Sequence, residues 1–96
     1  MIFITQLIYI VPGKESVFEE FESLAIPIIS KYNGELMLRT RPGAVIEANI
    51  EVPYEIHLVS FDRESDFEAF KLDEERKTFL HLKDESVRSS LLIVGK

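Results

Sequence analysis

Apolar side chains in residues 2–11 fall on both alternating sets: Ile2, Ile4, Ile8 and Ile10 on one side, Phe3, Leu7, Tyr9 and Val11 on the other. Apolar positions at both phases of a period of two predict a strand covered on both faces. Pro12-Gly13 ends it. Val17, Phe18, Phe21, Leu24, Ala25, Ile28, Ile29 and Tyr32 then recur at helical spacing, predicting a helix to about Tyr32 with one apolar stripe. Glu15, Glu19, Glu20 and Glu22 are expected largely off that stripe, several of them near the N-terminus, where the helix dipole favours anions. Gly13, or Ser16 with Glu19 as a capping box, is the expected cap. Pro27 lacks an amide hydrogen and crowds the Ser23 carbonyl, which predicts a kink. Asn33-Gly34 is the stop, with Gly34 free to take positive φ.

Residues 35–41 predict a second strand, with Leu36 and Leu38 facing one way and Met37, Arg39 and Arg41 the other. Residues 44–53 read either as a long hairpin loop or as more ladder. Residues 54–61 predict a third strand, with Ile56 and Leu58 opposite Glu55, His57, Val59 and Phe61. Asp62 and Ser65 are alternative caps for the next helix, and Asp73 caps a second helical piece over about 74–84. Residues 88–94 form the last strand. The order strand, helix, strand, strand, helix, strand gives an α+β, ferredoxin-like βαββαβ domain spanning residues 1–96: a four-stranded antiparallel sheet with its helices on one face. The doubly apolar first strand then needs a second cover, and a partner sheet supplies it. Sheet-to-sheet homodimerisation is therefore expected.

Composition narrows the chemistry. A chain of 96 residues buries only roughly 60–65% of its unfolded surface, yet 46% of its residues are hydrophobic, which also favours a partner. With no cysteine, disulfides, thiolate nucleophiles and cysteine-based metal sites are excluded, and a cytoplasmic setting is expected. A net charge of −6 without a basic cluster argues against nucleic acid and anionic membrane surfaces. The apolar start has neither a basic leader nor a small-residue cleavage site, and it is too short to span a bilayer.

Val11-Pro12-Gly13-Lys14, residues 25–29 leading into Lys31-Tyr32-Asn33-Gly34-Glu35, residues 70–76, and the terminal Ile93-Val94-Gly95 together resemble the dimeric α/β-barrel superfamily. The likeness spans nearly the whole chain. It is nearest to the small bacterial members distantly related to antibiotic-biosynthesis monooxygenases. The resemblance implies two sheets packed face to face with helices outside, and a pocket between each sheet and its helices. It also implies activities as different as cofactor-free oxygenation and isomerisation. The tryptophan of the haem-degrading branch is absent here, and Ser60 stands before Phe61 where many relatives carry a glutamate.

His57 is the leading candidate for chemistry. It shares a strand set with Glu55, and a hairpin of strands two and three brings Arg39 and Arg41 to the same face. A histidine between a carboxylate and an arginine suits general-base work near neutral pH. The plainer reading is a polar cluster that holds register. Tyr9 can offer a hydroxyl to a pocket, as can Tyr54, while Tyr32 reads as structural. Gln6 either meets its symmetry mate or faces a ligand. His81 reads as a solvated helical residue. No phosphate-binding or serine-hydrolase motif and no metal-ligand spacing is present, so no cofactor and no metal are expected. The catalytic candidates are His57, Arg39 and Tyr9. The expected ligand is a small organic molecule, turned over by monooxygenase- or isomerase-like chemistry, with a non-catalytic binding or assembly module of the same fold as the alternative.

Overall fold

The computed structural model describes residues 1–95. Strand β1 (Ile2–Ile10) leads to helix α1 (Glu15–Ile29) and a short 3₁₀ turn (Ser30–Tyr32). Strand β2 (Gly34–Thr40) and strand β3 (Glu55–Phe61) follow, then helices α2 (Glu64–Lys71), α3 (Glu74–Thr78) and α4 (Leu80–Ser86), and strand β4 (Val87–Gly95). The sheet order is β2-β3-β1-β4, and each neighbouring pair is antiparallel. This is the ferredoxin-like order. None of the described helices is long and apolar enough to cross a membrane.

Ile2, Ile4, Ile8 and Ile10 lie on the helix side of β1, where Ile4 is 3% exposed and Ile8 is 2% exposed. Ile2 and Ile4 pack with Val59 and Phe61 from β3 and with Ile29 from α1, Ile8 and Ile10 pack with Phe18 from α1, and Phe21, Ala25 and Ile28 of α1 form a further buried cluster with Phe79. Each such large side chain contributes about 1.5–3 kcal/mol relative to leaving it in water. Edge-to-face contacts tie the layers together, with Phe18 and Tyr54 centroids 5.8 Å apart and Phe21 and Phe79 centroids 6.0 Å apart.

The other face of the sheet carries no helix. Register places Phe3, Leu7 and Tyr9 there with Ile56 and Leu58, and with Leu91 and Ile93 of β4. Leu91 is 49% exposed and Ile93 is 47% exposed, so this apolar face is uncovered within the single chain.

Several local expectations need correction. Lys14 takes the cap position of α1 without a side-chain hydrogen bond, so neither Gly13 nor a Ser16–Glu19 box caps it. The Glu19 carboxylate is drawn instead to Arg39 and Arg41. Arg63, not Asp62 or Ser65, precedes α2. Asp73 does cap α3, accepting the Arg76 amide at 2.8 Å. The expected helical piece over 74–84 divides at Phe79 into α3 and α4. α1 runs through Pro27 and tightens into the 3₁₀ turn after Ile29. Asn33, with φ of 56°, takes the left-handed position expected of Gly34. Position 34 needs glycine for a different reason. A Cβ there would sit 2.6 Å from Ile29 Cγ2 and 2.7 Å from Phe61 Cε1. Leu24, expected on the inner stripe, is 43% exposed, whereas Glu22, expected off it, is 7% exposed.

The β2–β3 register shifts between Leu36 and Leu38, where Leu36 pairs with Val59 but Leu38 pairs with Leu58. Met37 is the extra residue of this bulge. Leu36 and Leu38 therefore face opposite ways, and Leu36 and Arg39 share the helix side. Residues 44–53 form neither helix nor strand.

Candidate functional site

A cavity of about 170 Å³ lies between the sheet and the helices. Its sheet wall includes Gln6 of β1, His57 of β3 and Ser90 of β4 among Ile4, Ile8, Val59 and Phe61. Its helical wall includes Phe18, Phe21 and Glu22 of α1, Phe67 and Phe70 of α2, Arg76 of α3 and Lys83 of α4. Gln6 thus faces the helix side and lines this cavity.

His57 stands at the polar end of this wall. It is 5% exposed, and its Nε2 makes a short hydrogen bond to Oε2 of Glu55, which is 1% exposed. The same Glu55 carboxylate accepts from Arg39 Nε at 2.8 Å and from Arg41 Nε at 3.0 Å. Arg39 Nη2 also donates to Glu19 Oε1 at 3.0 Å, and Arg41 Nη2 pairs with the same oxygen. Glu19, Arg39, Arg41 and Glu55 form one network from α1 to the sheet. On the other side of the imidazole, Nδ1 lies 3.9 Å from Glu22 Oε2.

The protonation pattern follows from these surroundings. Burial opposes the charge on Glu55, but hydrogen bonds from Arg39, His57 and Arg41 outweigh it and hold the carboxyl below the usual range. Burial lowers the basicity of His57, and the opposing pull of Glu55 does not overcome it. A neutral His57 beside an ionised acceptor donates from Nε2, which leaves Nδ1 as an acceptor toward Glu22. Burial, reinforced by the Glu55 charge, pushes Glu22 up to about 7. The site is therefore a line of three groups, Glu22, His57 and Glu55. One end is a carboxyl poised to gain or lose a proton near neutral pH.

His57 and Arg39 meet here through Glu55. Tyr9 does not join them: it lies on the uncovered sheet face, its hydroxyl donating to the Glu51 carbonyl at 2.9 Å and its ring under Arg88 at 5.6 Å. Tyr54 packs against Phe18 and under Arg41, whose guanidinium lies 4.9 Å from the ring centre. Tyr32 donates to Asp73 at 2.5 Å, a structural tie between the 3₁₀ turn after α1 and the cap of α3. His81 is exposed. Glu22 went unrecognised as a site residue. Its spacing, four residues from Phe18 and three from Ala25, puts Glu22 at the edge of the apolar stripe, a partial signal that leaves its burial open.

Glu22, Glu55 and His57 offer ligand atoms within 4.8 Å of one another, close enough to share a divalent cation. Two guanidiniums and an imidazole already occupy the Glu55 oxygens. A cation there would have to displace those contacts and would sit against the charge of both arginines. This arrangement therefore suits proton transfer better than metal binding.

No family model and no curated protein sequence matches the chain. Solved structures do share its fold. A protein of unknown function from Rhodopseudomonas palustris superposes with a TM-score of 0.80 at 13% identity, over 97% of this chain and 78% of that one. A candidate antibiotic biosynthesis monooxygenase from Nitrosomonas europaea gives 0.76 at 10% identity, over 100% of this chain and 97% of that one. A dimeric protein of unknown function and ferredoxin-like fold from Bacteroides fragilis gives 0.73 at 14% identity, over 99% and 94%. The chain thus has the ferredoxin-like α+β fold found in dimeric and monooxygenase-like proteins. At these identities the likeness defines fold, and activity has to be argued from the site.

Proposed function

We propose that this chain pairs sheet to sheet as a homodimer and binds a small, largely apolar organic molecule between its sheet and helices. Glu22 takes a proton from that molecule. The observation that carries the reading is a buried carboxyl with a value of about 7 on the wall of an aromatic-lined cavity, beside a neutral histidine. A base near neutrality combines adequate ionisation with useful proton affinity. His57 is the positioning residue: Glu55, held by Arg39 and Arg41, sets its tautomer, and its free Nδ1 faces Glu22. Return of the proton to a different atom of the ligand is isomerase-like. Reaction of the deprotonated ligand with dioxygen is cofactor-free oxygenase-like. The net charge of −6 speaks against nucleic acid as the partner.

Native mass spectrometry of the gently purified protein tests this first. A dimer carrying a co-purified small molecule is the expected result, and solvent-deuterium exchange into that molecule should collapse in Glu22→Gln and fall in His57→Ala. A monomer contradicts the dimer, and unchanged exchange in both variants removes the proton-transfer role. The second reading is a non-catalytic binding or assembly module. It is supported by the uncovered apolar sheet face, which needs a partner sheet whether or not any chemistry takes place.

A further inference from the structure

The charge balance of the cavity contains a surplus that the Glu22–His57–Glu55 line does not use. Arg76 and Lys83 both line the cavity from the helical side. Burial disfavours the charge of each, so neither cation is fully solvated. Among the described residues, neither makes an ion pair within 4.0 Å. Arg76 Nε is out of contact with solvent and has no hydrogen-bond partner. The remainder of this guanidinium makes a 3.4 Å contact to the Lys71 carbonyl and lies 5.2 Å from the Phe70 ring centre. A buried donor left unpaired is costly, so such a donor marks a position where a partner belongs.

The carboxylates whose charge reaches these two cations are Glu22 and Asp73 for Arg76 and Asp84 and Glu22 for Lys83. Glu22 is driven toward its neutral form, Asp73 already accepts from the Tyr32 hydroxyl and the Arg76 amide, and Asp84 is not within ion-pair distance of Lys83. In a chain of net charge −6, three cationic side chains, Lys71, Arg76 and Lys83, line the cavity against one carboxyl, Glu22. The cavity's volume limits the occupant. About 170 Å³ is close to the roughly 150 Å³ cavity that accepts benzene, so one ring or a short aliphatic chain fits. Five phenylalanines, Phe18, Phe21, Phe61, Phe67 and Phe70, surround that space. Guanidinium and ammonium groups bind carboxylates by charge-assisted hydrogen bonds, and Arg does so with planar, paired geometry.

Building on the proposed pocket, we infer that its ligand is a monocarboxylic acid with an apolar body about one ring in size, the carboxylate held by Arg76 and Lys83. The test uses the full chain with benzoate, benzamide and benzyl alcohol as probes, followed by calorimetry and by the ¹⁵N signal of Arg76 Nε. Benzoate should bind at least tenfold more tightly than the two neutral probes and shift the Arg76 Nε signal. Arg76→Gln and, independently, Lys83→Gln should each remove most of that preference. Lys83, partly exposed on α4, covers the case in which the Arg76 variant fails to fold. Equal binding of all three probes would leave the pocket standing and overturn the carboxylate assignment. A benzoate preference that survives both substitutions would also overturn it. Binding of none of them would overturn the pocket itself.

Discussion

Replacing Glu22 with glutamine should stabilise the protein at alkaline pH and leave it unchanged in acid. Glu22 is raised from an ordinary 4.5 to about 7 by burial and by the Glu55 charge. Each tenfold change in acidity corresponds to about 1.4 kcal/mol, so ionising Glu22 in the folded state costs about 3 kcal/mol. The sign follows from proton counting. Between 4.5 and about 7 the folded protein holds this proton and the unfolded chain has lost it, so stability falls as pH rises through that window. Above about 7 both states are ionised and the deficit is constant. Glutamine is close in shape to the protonated acid, can donate to His57 Nδ1, and does not titrate. Urea unfolding of both proteins from acid to mildly alkaline pH, at one protein concentration because a dimer's stability depends on it, gives the difference curve. His57, Glu55, Arg39, Arg76 and Lys83 surround the position in both proteins, so their own titrations largely cancel. The difference should grow by about 3 kcal/mol across the window. A flat difference curve, or one that changes only below the ordinary carboxylate range, would refute the placement of Glu22 as a buried, near-neutral acid.

Gly34→Ala should destabilise by about 1–3 kcal/mol through overpacking, because the added Cβ meets Ile29 and Phe61; Gly43→Ala, with nothing within 4 Å, should leave the melting temperature almost unchanged. Leu58→Glu puts a charge at the centre of the uncovered sheet face and should give a monomer by light scattering; a persistent dimer would locate the interface elsewhere. Asp73→Ala removes both the α3 cap and the Tyr32 hydroxyl's acceptor, and amide exchange in α3 should speed up. His57→Ala should weaken proton exchange into a bound ligand while Tyr9→Phe leaves it intact, since Tyr9 is on the opposite sheet face; equal losses in the two would contradict that separation.

The order of elements was legible in the sequence because each rests on local periodicity. The alternating set of β3 places Glu55, His57, Val59 and Phe61 on one face, and this is the helix face in the structure. The doubly apolar β1 likewise shows as one buried set and one uncovered apolar set. Asp73 marks a helix start because capping is a matter of neighbouring residues. Tertiary structure decided the rest. The Met37 bulge adds one residue to β2 and so reverses the relation of Leu36 to Leu38, a shift that only pairing with β3 reveals. Glu22 lies at the edge of the helical stripe. Whether it faces water or the core depends on how α1 rolls against the sheet, which periodicity does not specify. Arg76 and Lys83 belong to two short helices, and only their packing brings both to one cavity. Periodicity is a property of adjacent residues and determines faces. The charge state and the partners of a side chain come from groups far away in the chain, and these are defined only once the layers have packed.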